Sequence, residues 1–188
     1  MSGCEIQARG VSKGTPIRAA EGAMRVIDFD SLYEFHSGAV FRFALSLSGN
    51  RTMAEDITSE TFIRVWTARE RVDLATVAGY LMTIARRLYL EQVRGDRRRE
   101  MLDRDWEDAT PGPHALVEGR AELDAVLADL QTLAEPDRAA LLMRAQEQMP
   151  YEEIAAALGI SPGAAKVKVH RARRKVAELR MNREEEGL

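Results

Sequence analysis

The sequence predicts an all-α protein built as two small helical bundles joined by a flexible linker, the second bundle containing a helix-turn-helix. Three observations carry this reading. Apolar residues recur at helical spacing along most of the chain from Phe29 onward, and no alternating pattern of useful strand length is present. Two strongly basic segments are divided by the acidic stretch DRDWEDATPGPHALVEG, which is broken at Pro111, Gly112 and Pro113. The glycine and serine in LGISPG interrupt an otherwise helical C-terminal region, as a tight turn between two helices would.

Each element follows from its pattern. FDSLYEFHSGAVFRFALSLSG places Leu32, Phe35, Val40, Phe43 and Leu47 in helical register, and Gly49-Asn50 has the composition of a C-cap. TMAEDITSETFIRVWTAR offers Thr52 as an N-cap and Ile57, Phe62, Val65 and Trp66 as a buried stripe. A polar loop, ERVDLAT, leads to VAGYLMTIARRLYLEQVRGDRRR, whose buried face is expected at Tyr80, Leu81, Ile84, Leu88 and Val93. Beyond the linker, AELDAVLADLQTL and PDRAALLMRAQEQ read as two amphipathic helices separated at Glu135-Pro136. The expected division is a disordered extension over 1–27, a bundle over 28–98, a linker over 99–120, a second bundle over 121–182 and an acidic tail over 183–188.

Composition narrows the function classes. The chain has 188 residues, 45% hydrophobic and 30% charged, within the range of ordinary globular proteins. No run approaches the roughly 18 apolar residues of a membrane helix, and the N-terminal segment lacks the apolar core of a secretory signal, so a cytoplasmic, non-inserted protein is expected. Cys4 is the single cysteine, which excludes an internal disulfide and a multi-cysteine metal site. His36, His114 and His170 are isolated from one another, and HExxH, P-loop and GxSxG motifs are absent. These features point away from an enzyme and imply no metal, no cofactor and no small-molecule substrate.

The formal net charge of -3 hides a sharp segregation. Arg86, Arg87, Arg94, Arg97, Arg98 and Arg99 crowd one segment against Glu91 and Asp96. Lys166, Lys168, Arg171, Arg173, Arg174, Lys175 and Arg180 crowd another against Glu178. Two basic surfaces on a slightly acidic chain suit a polyanion contacted at two places.

The stretch YEEIAAALGISPGAAKVKVHRARRKVAEL explains the second surface. Gly159 can take the left-handed conformation that ends a helix, Ile160 fills the angle, Ser161 caps the next helix and Pro162 occupies its first turn. Ile154, Ala155, Leu158, Ala165, Val169 and Ala172 should be buried. Ser161, Lys166, Val167, Lys168, His170, Arg171, Arg173 and Arg174 are then the candidates for contact with duplex DNA, since the second helix of such a unit enters the major groove. An ordinary basic helical hairpin is the plainer reading of the same residues.

This stretch resembles region 4 of the extracytoplasmic-function (ECF) sigma factors, a group of the sigma-70 family. AEDITSETFIRVW is similar to their region 2 helix, often written AEDLVQETFLRAW, and AGYLMTIARRLYLEQVR to the segment after it. The resemblance spans about residues 29–180. It implies a dissociable subunit of bacterial RNA polymerase: region 2 docks on a coiled coil of the largest core subunit and engages the −10 promoter element, while region 4 reads the −35 element. Asp56 and Glu60, four apart on one helix face, would dock on the polymerase. Tyr80, Arg86, Arg87 and Arg94 would meet the −10 strand. An anti-sigma factor is implied as a further partner.

The chain departs from the family pattern at several of these positions. Arg87 stands where many members have Asn, and a guanidinium cannot reproduce the paired donor and acceptor of an amide. Tyr80 stands where Trp is common. Ala165 replaces a β-branched residue and Val167 a small polar one, so Val167 can touch a thymine methyl but cannot hydrogen-bond a base. The rival readings are a stand-alone helix-turn-helix regulator, which leaves residues 29–98 unexplained, and an enzyme.

The joint generates the first testable expectation. Residues from about Met101 to Gly119 are acidic and poor in apolar anchors, so limited proteolysis of the free protein should cut there first. Protection of that stretch would show instead that the bundles enclose it.

Overall fold

Gly49 takes a left-handed φ of 69° and ends the first helix, donating its N–H to the Leu45 carbonyl at 2.8 Å. Asn50 then begins the next helix, its Oδ1 accepting the Met53 N–H at 2.9 Å. The N-cap is therefore Asn50 and not Thr52, because the helix starts two residues earlier than the apolar stripe alone indicates. The structure, a computed structural model, describes residues 29–67, 77–102 and 118–186. Within them lie seven helices and no strand: α1 (Phe29–Ser48), α2 (Arg51–Thr67), α3 (Val77–Leu102), α4 (Glu118–Gln131), α5 (Glu135–Gln146), α6 (Tyr151–Leu158) and α7 (Pro162–Glu186). The expected N-terminal extension, the loop after α2 and most of the expected linker lie outside the described residues. Helix nevertheless takes up both ends of that linker, since α3 runs to Leu102 and α4 begins at Glu118.

The first bundle, α1 to α3, is held by apolar burial. Val40, Phe43, Leu47, Ile57, Leu81 and Met82 have no exposed surface, and Phe62, Val65 and Leu88 very little. Each such side chain contributes about 1.5–3 kcal/mol. The exposed pairs Arg51–Glu55 and Arg174–Glu178 contribute about 0–1 kcal/mol each, so packing and not surface charge sets this fold. Thr58 and Thr61 are buried among the apolar residues, with both hydroxyls donating to carbonyls one turn back, at Ala54 and Ile57.

Phe35, Trp66 and Tyr80 depart most from the periodic reading, and Val93 on α3 and Leu158 on α6, both expected to be buried, are only partly so. Phe35 is 84% exposed, because the buried face of α1 runs through Leu32, Ala39, Val40 and Phe43. Trp66, expected in the core, is 47% exposed and packs edge-on against Phe29 with ring centroids 4.8 Å apart. Tyr80 lies at the rim of α3, whereas Leu81, Ile84 and Leu88 are buried as expected.

The second bundle, α4 to α7, packs Leu130, Leu133, Leu142, Met143, Ile154, Ala165 and Val169 together. It is not separate from the first. Helix α1 lies against α4 and α5, and α3 lies against α6, so both bundles share one continuous core. Polar contacts line the seam: Gln131 Nε2 donates to the Ser46 carbonyl at 3.2 Å and Gln146 Nε2 to Ser46 Oγ at 3.0 Å.

His36 sits half-buried on α1 near this seam. Burial pushes its pKa below the ordinary 6.5, partly offset by the Glu147 carboxylate. The unfolded chain therefore binds the proton more tightly than the folded one. The stability this provides is present above pH 6.5 and is lost as pH falls through 6.5 toward the depressed folded value. Thermal midpoints measured from roughly pH 5 to 7 should fall with acidity, and His36→Gln should flatten that slope. An unchanged slope in the variant would assign the pH dependence to other groups.

Candidate nucleic-acid interface

The helix-turn-helix forms as its residues dictate. Gly159 closes α6 at a φ of 67° and ψ of 39°, its N–H donating to the Ala156 carbonyl. Ile160 packs partly buried against the core, its N–H bonded to the Ala155 carbonyl at 3.0 Å. Ser161 Oγ accepts the Ala164 N–H at 3.2 Å, the N-cap bond its position implies, and Pro162 begins α7.

Burial then fixes the outward face of α7. Ala165, Val169 and Ala172 are buried and Val176 partly so, all within one stripe of the helix. At about 100° per residue, Val167 and Arg174 point directly away from that stripe, with His170 and Arg171 to either side. Lys166, Val167, His170, Arg171, Arg173 and Arg174 are all exposed. The sequence-predicted duplex-reading set is thus presented to solvent, with one exception.

That exception is Lys168. Its Nζ lies 3.0 Å from Asp137 Oδ1, and its side chain is only 24% exposed. Asp137 is buried in the first turn of α5, and its second oxygen lies 3.4 Å from Arg171 Nη1. The carboxylate ties the reading helix to α5 and biases where Arg171, itself 62% exposed, can point. Lys168 is thus the one member of the set that is paired across to α5 and not turned fully outward.

The α3 candidates divide in the same way. Tyr80, Arg87 and Arg94 are seven residues apart and fall on one stripe, exposed in each case. Arg86 is turned about 100° away from Arg87. It points at α5, where Nε meets Glu135 Oε1 at 2.7 Å and Nη2 meets Oε2 at 2.8 Å. Both side chains of this fork are mostly buried, at 15% and 18% exposure.

On α2, Asp56 is exposed and Glu60 half-exposed. Glu60 accepts a bond from Arg64 at 2.9 Å, and Arg64 also reaches Glu91 on α3 at 3.1 Å. These carboxylates raise the Arg64 pKa further, through hydrogen bonds first and charge second. Among the described residues, no group of three or more His, Cys, Asp or Glu side chains is arranged to hold a metal ion.

Sequence reasoning missed Glu135, Asp137 and Arg138. Arg138 is buried, donating from Nη1 to the Leu130 carbonyl and Gln131 Oε1 and from Nη2 to the Tyr89 hydroxyl at 2.9 Å. The only sequence signal was the charge cluster EPDR at a helix start, which elsewhere marks a solvated first turn.

Comparison with known proteins matches this architecture in both halves. Residues 32–99 match the family model for sigma-70 region 2, and residues 123–176 that for sigma-70, region 4. The chain is 33% identical over 171 residues to the ECF RNA polymerase sigma factor SigE of Mycolicibacterium smegmatis, covering 88% of this chain and 66% of that relative. It is 33% identical to the ECF RNA polymerase sigma factor SigL of Mycobacterium tuberculosis, covering 90% of this chain and 94% of that one. The solved sigma factor RpoE of Bartonella quintana, in complex with the anti-sigma factor NepR, superposes with a TM-score of 0.71 at 26% identity, covering 81% of this chain and 96% of that one. With the region 2 and region 4 signatures in order along one chain, and relatives of the same kind matching across nearly its whole described length, the protein belongs to the ECF group of the sigma-70 family.

Proposed function

We propose that this chain is a dissociable promoter-specificity subunit of bacterial RNA polymerase, acting in the cytoplasm as a binding protein and not as an enzyme. The observation that carries the reading is the pairing of two exposed cationic faces with the two family regions. One face is the Tyr80, Arg87 and Arg94 stripe of α3, the other the outward side of α7. A stand-alone regulator would need only the second. No described helix is long and apolar enough to cross a membrane, in keeping with a chain that meets DNA and polymerase in the cytoplasm.

In this reading the α3 stripe meets the −10 strand, with Tyr80 available for stacking on an unpaired base and Arg87 and Arg94 for phosphates. The α7 helix enters the major groove of the −35 element through its N-terminal half. Ser161, Lys166, Val167, His170 and Arg171 lie nearest the bases, and Arg173 and Arg174 further along meet backbone. Lys168 supports the helix from behind through Asp137. The chain also meets an anti-sigma factor, as the related Bartonella quintana protein does in its solved complex.

Two measurements test this. Arg171→Ala should cost about 1–3 kcal/mol and relax preference at one −35 position, whereas Arg174→Ala should weaken every sequence alike and reduce the salt slope by about one. Binding to matched and mismatched duplexes over a salt series separates the two, and an equal loss on all duplexes for Arg171→Ala would make it a phosphate clamp.

For polymerase docking, Asp56→Lys combined with Glu60→Lys should lower the association rate with core enzyme by roughly tenfold or more while leaving −35 duplex binding intact. Unchanged core affinity would remove these carboxylates from the docking surface. Run-off transcription with core polymerase on a promoter library tests the function as a whole.

A further inference from the structure

Arg171 has no carboxylate one turn away on its own helix. The residues three and four positions before and after it are Val167, Lys168, Arg174 and Lys175, so its neighbours along α7 repel it or leave it unheld. The anion it meets comes from another element. Asp137, in the first turn of α5, places Oδ2 3.4 Å from Arg171 Nη1 while its Oδ1 lies 3.0 Å from Lys168 Nζ. Asp137 is buried, so this anchor is fixed by the packing of α5 on α7 and does not itself face solvent or a DNA backbone.

The atom that Asp137 engages decides what Arg171 can still do. A guanidinium has two edges with paired donors, Nη1 with Nη2 at the tip and Nε with Nη2 at the side. Holding Nη1 spoils the tip edge and leaves the side edge whole. Two parallel donors on such an edge match O6 and N7 of guanine in the major groove. Most of the Arg171 side chain faces solvent, which leaves that edge free to be presented outward. An arginine without such a hold samples many rotamers, and the nearest phosphate competes with the base for it.

The geometry points to Asp137 as a positioning residue for promoter selectivity. It holds Arg171 by Nη1 so that the Nε–Nη2 edge reads a guanine of the −35 element, although Asp137 never touches DNA. The residue at the start of α5 thereby helps to set which base α7 prefers. This inference rests on the proposed reading of α7 as the −35 helix. Asp137→Asn keeps the size of the side chain and removes its charge, which releases Arg171 to act as a sequence-neutral phosphate clamp. Preference at one base then falls, while binding to non-preferred duplexes does not, because losing the anion behind the helix raises its positive potential.

The test uses the full chain reconstituted with core polymerase and a pool of duplexes randomised over both promoter elements, sequenced before and after selection. A base read by a bidentate pair is favoured by about 5- to 150-fold. Wild type should show a guanine preference of this size at the −35 position that Arg171→Ala abolishes. Asp137→Asn should cut the same preference by at least about threefold and leave the other −35 positions as they were. Added to Arg171→Ala, it should change the profile no further. The ratio between two bases at one position is the same whatever fraction of the chain is folded, so a loss of stability alone does not move it.

An undiminished guanine preference in Asp137→Asn overturns the proposal. So does a loss spread evenly over all −35 positions, or a further loss on the Arg171→Ala background. Should Asp137→Asn fail to fold by circular dichroism, the wild-type chain decides. Nuclear magnetic relaxation of the Arg171 Nε–H group, assigned by its absence in Arg171→Ala, should report a more ordered guanidinium than that of the exposed Arg173, and equal mobility rejects the hold. A wild-type profile with no preferred base at any −35 position rejects the reading of α7 itself, which is distinct from a sharp profile that Asp137→Asn leaves untouched.

Discussion

The Asp137 carboxylate, buried in the first turn of α5, is bonded to two cations of α7, and the residues on either side of it reach two further helices. Glu135 reaches α3 through Arg86, and Arg138 reaches both α3, through Tyr89, and the end of α4, through the Leu130 carbonyl and Gln131 Oε1. Consecutive side chains on a helix diverge by about 100°, so four residues on one turn can address several neighbours at once. The acidic pair at the N-terminal end of α5 also sits where the helix dipole favours negative charge. The placement of the reading helix and the closure of the seam both depend on this turn.

The reading helix illustrates how a basic surface is kept intact on a folded chain. Its buried stripe is small and apolar, Ala165, Val169 and Ala172, which lets α7 sit close against the bundle while long cationic side chains project outward. Cations crowded on one helix repel one another, and Asp137 relieves part of that repulsion from the packed side without covering the exposed face. The exposed pair Arg174–Glu178 is solvated and contributes little.

Both ends of the molecule thus use the same chemistry for different purposes. An exposed guanidinium or ammonium is available to a polyanion, whereas a half-buried one is committed to an internal carboxylate. Arg87 and Arg94 stand in the first state, and Lys168 and Arg86 in the second. Arg171 is intermediate, touching Asp137 while most of its surface faces solvent.

The sequence by itself determined the local structure. Helical periodicity, Gly49, Gly159, Ser161 and Pro162 located the helices and the turn, because glycine at positive φ and an N-cap hydroxyl act within a few residues. The outward set on α7 was legible for the same reason, apart from Lys168. Family resemblance, carried by short motifs, was legible too. Tertiary structure alone decided which charges are free. Nothing in the spacing of Arg86 and Glu135, 49 residues apart, or of Asp137 and Lys168, 31 apart, marks them as pairs, since ion pairing depends on where helices pack and not on chain order. The same holds for Phe35, whose apolar character fits the helical pattern but whose position falls outside the contact between α1 and its neighbours. That the bundles close on each other was likewise decided by the packing of α1 and α3 on α4, α5 and α6, through long-range contacts that no local signal encodes.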